Sequence, residues 1–283
     1  MYNAKKTLPY SVEFYRQFHR KRTLFAYLFV ISLPVIVAGA VKFGPSSNSN
    51  SGGPSRLGSG TFDLIGLATS GAANFTLTMF YFATPFLLVT VISLFSGDTV
   101  ASEASWSTLR YLLAAPVPRK RLLIQKLKVS LTLSLGAVLL LPITSWIVGL
   151  IVFGNGPLQS PLGITLDNSI AIKRILLITL YSAISLLFIS GIAFYLSIRT
   201  DAPLGAVGVA VGIVILMNIL DAVTALGNLR KILPVHYSYS WFDLLGNNIV
   251  WESMIRGGAY SVIWFIVLIT RSINRFETKD VTS

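Results

Sequence analysis

Residues 98–128 read DTVASEASWSTLRYLLAAPVPRKRLLIQKLK, the stretch of this chain whose residue types could do most. It is too polar to cross a membrane and too apolar to be a plain solvated linker. Trp106, Leu109, Tyr111, Leu112 and Leu113 can form a short amphipathic segment at a membrane surface, and Pro116 and Pro118 stop it. Arg119, Lys120, Arg121, Lys126 and Lys128 follow. By composition alone, such a basic run is what a loop on the inner side of a membrane carries. Elsewhere Asp221 stands with Asn218 one turn before it, either as a boundary group reaching toward headgroups or as a polar site in a pathway. Enzyme chemistry has little to work with. There is no cysteine, and His19 and His236 both fall in loops, so no base is at hand for a nucleophile in an apolar segment. His236 reads as a bystander. No clustered acids offer a metal site, and no G-x-x-x-x-G-K-[ST] run cradles a phosphate. Catalytic residues, metal ligands and cofactor-binding residues of its own are therefore expected to be none.

The elements that would position these residues follow from composition. Of 283 residues, 53% are hydrophobic and only 12% charged, about half the charge of a soluble domain, and the mean hydropathy is +0.70. A formal net charge of +12 in so apolar a chain points to basic residues flanking membrane spans, not to a nucleic-acid partner. A helix needs about 20 mostly apolar residues to cross the hydrocarbon core. Six stretches qualify, at about 24–41, 75–97, 128–153, 174–197, 204–226 and 254–270. None alternates with period two, so the predicted class is an all-α integral membrane protein and not a barrel.

Charge sets the orientation. With the N-terminus inside, sixteen Lys and Arg fall on the cytoplasmic side and seven outside, which favours cytoplasmic termini at both ends. The chain then divides into a cytoplasmic N-terminal amphipathic segment at 1–23 and a six-helix transmembrane domain at 24–283. The domain would carry a cytoplasmic loop at 98–127 and extracellular loops at 42–74 and 227–253. The first outer loop contains GPSSNSNSGGPSRLGSG at 44–60, which cannot bury a core. The link IRTDAP at 198–203 is short enough to make the fourth and fifth spans antiparallel neighbours, with Asp201 placed to cap the fifth and Pro203 to open it.

The middles of all six spans lack Asp, Glu, Lys and Arg, where an ion-coupled carrier would need them. Gly205, Gly208 and Gly212 share one face of the fifth span and allow close approach of a second helix, within the bundle or across a subunit interface. Thr76, Phe80, Thr84 and Thr90 fall roughly on one side of the second span, which suits core packing and a pathway lining equally.

The order of residues in the 98–128 stretch adds a resemblance. An acid, Thr-Leu-Arg, a leucine pair, a proline, an arginine and a lysine resemble the first cytoplasmic loop of type-2 ATP-binding-cassette (ABC) transporter permeases. Here the pattern is carried by Glu103, Thr108, Leu109, Arg110, Leu112, Leu113, Pro116, Arg119 and Lys126. Ser107 stands where that family usually has Gly, and Pro118 where it often has Ser. Six spans, inner termini and a basic amphipathic N-terminus are similar to that family as well, as is a segment of short helices before the last span. Within that segment Tyr237, Trp241 and Leu245 recur at helical spacing, and Tyr237, Tyr239, Trp241 and Trp251 suit the outer headgroup zone.

The resemblance implies the ABC-2 permease fold and a permease subunit of an exporter in a prokaryotic cell membrane. Its partners would be two ABC ATPase (nucleotide-binding) subunits, which bind ATP and Mg, and a second permease copy or paralogue in the bilayer. The nine loop residues would couple to the ATPase, with Glu103 and Arg110 making charge contacts at the rim and the leucines anchoring. An ion-gradient carrier using Asp221 and Asn218 is the alternative, as is a subunit passing mechanical work to an extracytoplasmic accessory protein. The hydroxyl-rich, uncharged spans favour a hydrophobic or amphipathic cargo.

Overall fold

The computed structural model describes residues 9–43, 64–106, 118–160, 164–246 and 249–278. Six of its helices are long and apolar enough to cross a membrane, as a multi-pass membrane protein requires. A short helix α1 (Tyr10–Phe18) precedes the first long one, α2 (Lys21–Phe43). After the short α3 (Leu64–Ala68) come α4 (Ala72–Ser105) and α5 (Arg119–Phe153). A two-residue antiparallel ribbon, β1 (Leu158–Gln159) with β2 (Thr165–Leu166), leads into α6 (Asn168–Arg199) and α7 (Pro203–Ala222). Three 3-10 segments, Thr224–Ile232, Pro234–Tyr237 and Ser240–Leu245, precede α8 (Glu252–Thr278). The all-α expectation thus holds except for the ribbon, which the sequence reading lacks.

The core sits on α4 and α6, whose most apolar windows are 67% buried against 17% for α7 and α8. Small and hydroxylated residues bring the two together. Ser96 and Ser190 share a hydrogen bond of 2.7 Å, and Ser197 Oγ accepts from the amides of Val100 and Ala101 at 3.0 Å. Gly97 lets α7 close on α4, since a Cβ there would come within 3.1 Å of Val207. Tyr27 of α2 donates to the Leu133 carbonyl of α5 at 2.8 Å.

One end of the bundle collects the basic residues: α1, the end of α4 and the start of α5 meet there, and Arg119 donates to the Glu277 carbonyl of α8. At the opposite end Asn74, 2% exposed, holds the ribbon. Its Oδ1 accepts from the Gln159 amide at 3.0 Å and its Nδ2 donates to the Pro157 carbonyl at 3.3 Å.

Four expectations change. The expected 98–127 loop is helical at both described ends: α4 runs on to Ser105 and α5 begins at Arg119, because the charges that ended the apolar reading are paired between the two helices. Likewise the outer loop 42–74 is helical from Leu64 to Ala68 and again from Ala72. Tyr237 and Trp241, within the 3-10 segments, are buried and do not face a headgroup zone, while Tyr239 and Trp251 are exposed. Finally, Pro203 opens α7 as expected, but Ala202 is the cap residue and no side chain caps it.

Candidate functional site

The basic end encloses four charged side chains from three helices. In α1, Glu13 and Gln17 lie four residues apart on one face, and that face is buried against α5 and α4. Gln17 Nε2 donates to Glu13 Oε1 at 2.7 Å. Arg16, one turn from Glu13 and 40% exposed, reaches Glu13 Oε2 at 2.7 Å and also contacts Glu103 of α4. Lys126 of α5 is wholly buried, with Nζ 2.5 Å from Glu103 Oε1 and 3.1 Å from Glu13 Oε1. Two carboxylates and two cations alternate, so the quartet is neutral. A long Lys126 stem lets the ammonium reach both acids from within an apolar helix.

Below it lies a second set of contacts. Asp98 of α4 takes Arg22 Nη1 at 2.6 Å and Arg20 Nη1 at 3.3 Å. Arg20 also donates to Ser102 Oγ at 3.1 Å, and its guanidinium sits 5.6 Å from the Trp106 ring. Thr23 Oγ1 donates to the Gln17 carbonyl at 2.7 Å, fixing the elbow between α1 and α2.

Burial works against charge on Glu13, yet Lys126 and Arg16 beside it and the hydrogen bond from Gln17 outweigh this and hold its carboxyl down at about 2. Burial also opposes the charge on Arg16, but Glu103 and Glu13 overcome it and raise its pKa. A carboxylate so strongly held is a poor proton carrier near neutrality. What the arrangement can do is mechanical: it ties α1, α4 and α5 into one joint at the ends of two long helices.

The structure brings Glu103 and Lys126 together, the two ends of the sequence pattern. It moves Glu103 away from a rim, since Glu103 is 1% exposed and its partners are inside the chain. Thr108, Leu109, Arg110, Leu112, Leu113 and Pro116 lie outside the described residues. Thr76 and Phe80 are core: Thr76 Oγ1 bonds the Ala72 carbonyl at 2.8 Å and Phe80 is fully buried. Thr84 begins a π-helical turn, Thr84–Leu88, and neither its hydroxyl nor that of Thr90 finds a hydrogen-bond partner among the described residues. Gly205, Gly208 and Gly212 are exposed. A Cβ on Gly208 or Gly212 would meet nothing within 4 Å, so these two serve no packing inside the described bundle.

Asn218 is exposed and donates to the Val214 carbonyl. Asp221 is bound at 2.6 Å by His236 Nδ1, with Arg230 Nε at 3.5 Å, so His236 is no bystander; it fastens the 3-10 segments to α7. Sequence reasoning missed Glu13 and Asp98. The signal for Glu13 was its solitude: it is the one acid among six basic residues in 1–23.

A family model described as a protein of unknown function (DUF2705) matches residues 55–282. No curated protein matches the chain.

Proposed function

We propose that the chain, which belongs to the DUF2705 family, is the membrane-spanning permease subunit of an ATP-driven ABC-2-type exporter. In this reading both termini and the charge quartet face the cytoplasm, and separate ATPase subunits bind the segment between α4 and α5. The supporting observation is the meeting of Glu103 and Lys126, 23 residues apart in sequence, at 2.5 Å. The acid and the terminal lysine of the loop pattern thus close one structural unit across its base. Closure of the ATPase pair would push the segment at 106–118, and the quartet would pass that load to α1, α4 and α5 together. A second copy or a paralogue would pack against the open Gly208 and Gly212 of α7. Asp221 gives an ion-gradient carrier little support, being engaged by His236 and Arg230.

The test is gentle purification from native membranes. A co-purifying nucleotide-binding subunit in about equal copy number, with hydrolysis uncoupled by Leu113→Asp, is the expected result. A clean six-helix protein without an ATPase in several mild detergents would overturn the reading.

A further inference from the structure

The backbone irregularities of the outer half converge on one place. The π-turn Thr84–Leu88 in α4, the interruption of α6 at Leu186 and the 3-10 segments border a single cleft, which α7 completes with Val214 and Asn218. Irregular backbone at membrane depth is tolerated where it lines a cavity, and π-turns recur at functional sites.

The second observation is a hydroxyl without a partner. Thr76, Thr99, Ser102, Ser145 and Thr179 all bond the carbonyl one turn back in their own helix. Thr84, 5% exposed and part of the cleft lining, bonds nothing among the described residues. A buried hydroxyl left unpaired is costly, so a ligand group that supplies its hydrogen bond is strongly favoured there. Thr90, Ser93, Ser134 and Ser261 carry similar hydroxyls but are not part of this lining.

The remaining lining fixes the ligand class. Asn218, Ser238 and Tyr239 add neutral polar groups, everything else is apolar, and no charged side chain takes part. With its amide nitrogen spent on the Val214 carbonyl, Asn218 keeps its oxygen as an acceptor. The floor has room for one group the size of a water molecule. We infer that this cleft binds a neutral, hydroxyl-headed amphiphile, whose hydroxyl sits against Thr84 and Asn218 while its chain runs out along the bundle. Lipids with phosphate or ammonium heads are too large and too charged for it. The inference stands whether or not the chain works with an ATPase.

The test uses the full chain in phosphatidylcholine nanodiscs and a sixteen-carbon primary alcohol with a diazirine beside its hydroxyl-bearing carbon. Photolabelling is expected within 81–89 and 214–239 and is competed by unlabelled alcohol but not by the corresponding methyl ether. Thr84→Val, which keeps the shape and removes the hydroxyl, should weaken labelling by about three- to tenfold, while Thr90→Val leaves it unchanged. Labelling spread evenly over the exposed helices overturns the inference, as does labelling insensitive to competitor or equal in Thr84→Val. An ordered water alone in the cleft, without alcohol labelling, overturns it too. The wild-type competition decides the matter even where a variant fails to fold.

Discussion

Replacing Lys126 by Met tests the quartet most directly. The side chain keeps nearly the same length but loses a wholly buried cation, leaving Glu13 and Glu103 facing each other with Arg16 alone between them. The cluster then holds a net negative charge among side chains that are 1% exposed. Removing one partner of a buried ion pair costs about 3–5 kcal/mol. For a chain of this size that corresponds to a fall in melting temperature of about 5–8 °C. Glu103→Gln should cost a similar amount for the opposite reason, a surplus cation. The double variant K126M/E103Q removes one charge of each sign and leaves the neutral Glu13–Arg16 pair, so it should be milder than either single change. Thermal unfolding of the four proteins in one detergent forms a double-mutant cycle. Singles that melt within about 2 °C of the parent, or a double variant equal to the sum of the singles, would refute the reasoning.

Three further outcomes are expected. Because folded Glu13 titrates at about 2 instead of 4.5, the folded state favours its carboxylate. That contribution, on the order of 3 kcal/mol, is complete above pH 4.5 and disappears as pH falls toward 2. Melting curves between pH 5 and 3 should therefore fall less steeply for Glu13→Gln than for the parent, and equal slopes would contradict the assignment. Gly208→Leu and Gly212→Leu should leave melting unchanged, since nothing within 4 Å meets a Cβ there. They should weaken self-association measured by cross-linking in membranes; an unchanged dimer fraction would remove α7 from the interface. Asn74→Ala removes the partner of the half-buried Gln159 amide at a cost of about 1 kcal/mol. Limited proteolysis should cut faster between 154 and 168, and an unaltered cleavage rate would show that the ribbon is held by other contacts.

The spans were legible because twenty apolar residues in a row admit few readings, and each expected span falls on one of the six long helices, overrunning only the end of α7, which stops at Ala222. Their extensions at the basic end of the bundle were not. Asp98, Glu103 and Lys126 look like loop residues by composition, and only pairing across helices makes them affordable inside a helical stalk. The pattern from Glu103 to Lys126 marked two members of the quartet without saying that they touch. Glu13 was overlooked because the aromatic and basic residues around it dominate the N-terminal segment. His236 and Asp221 are 15 residues apart across a chain reversal, and no periodicity links them. The π-turn has no sequence signature beyond Pro85, whose missing amide loosens the helix there.

The length of α4 has a consequence of its own. At 34 residues it extends about 51 Å, some 20 Å more than the hydrocarbon core, so Glu103 rides on a projecting rod. Along a rod, reach and angular phase are separate variables. Deleting one residue between 99 and 102 would shorten the rod by about 1.5 Å but swing Glu103 through about 100°, away from Lys126. Inserting seven would lengthen it by about 10 Å and return Glu103 close to its original bearing. Because an insertion in α4 alone also carries Glu103 about 10 Å along the axis from Lys126, the joint should tolerate seven residues added to both α4 and α5 far better than seven added to one of them or a single residue lost.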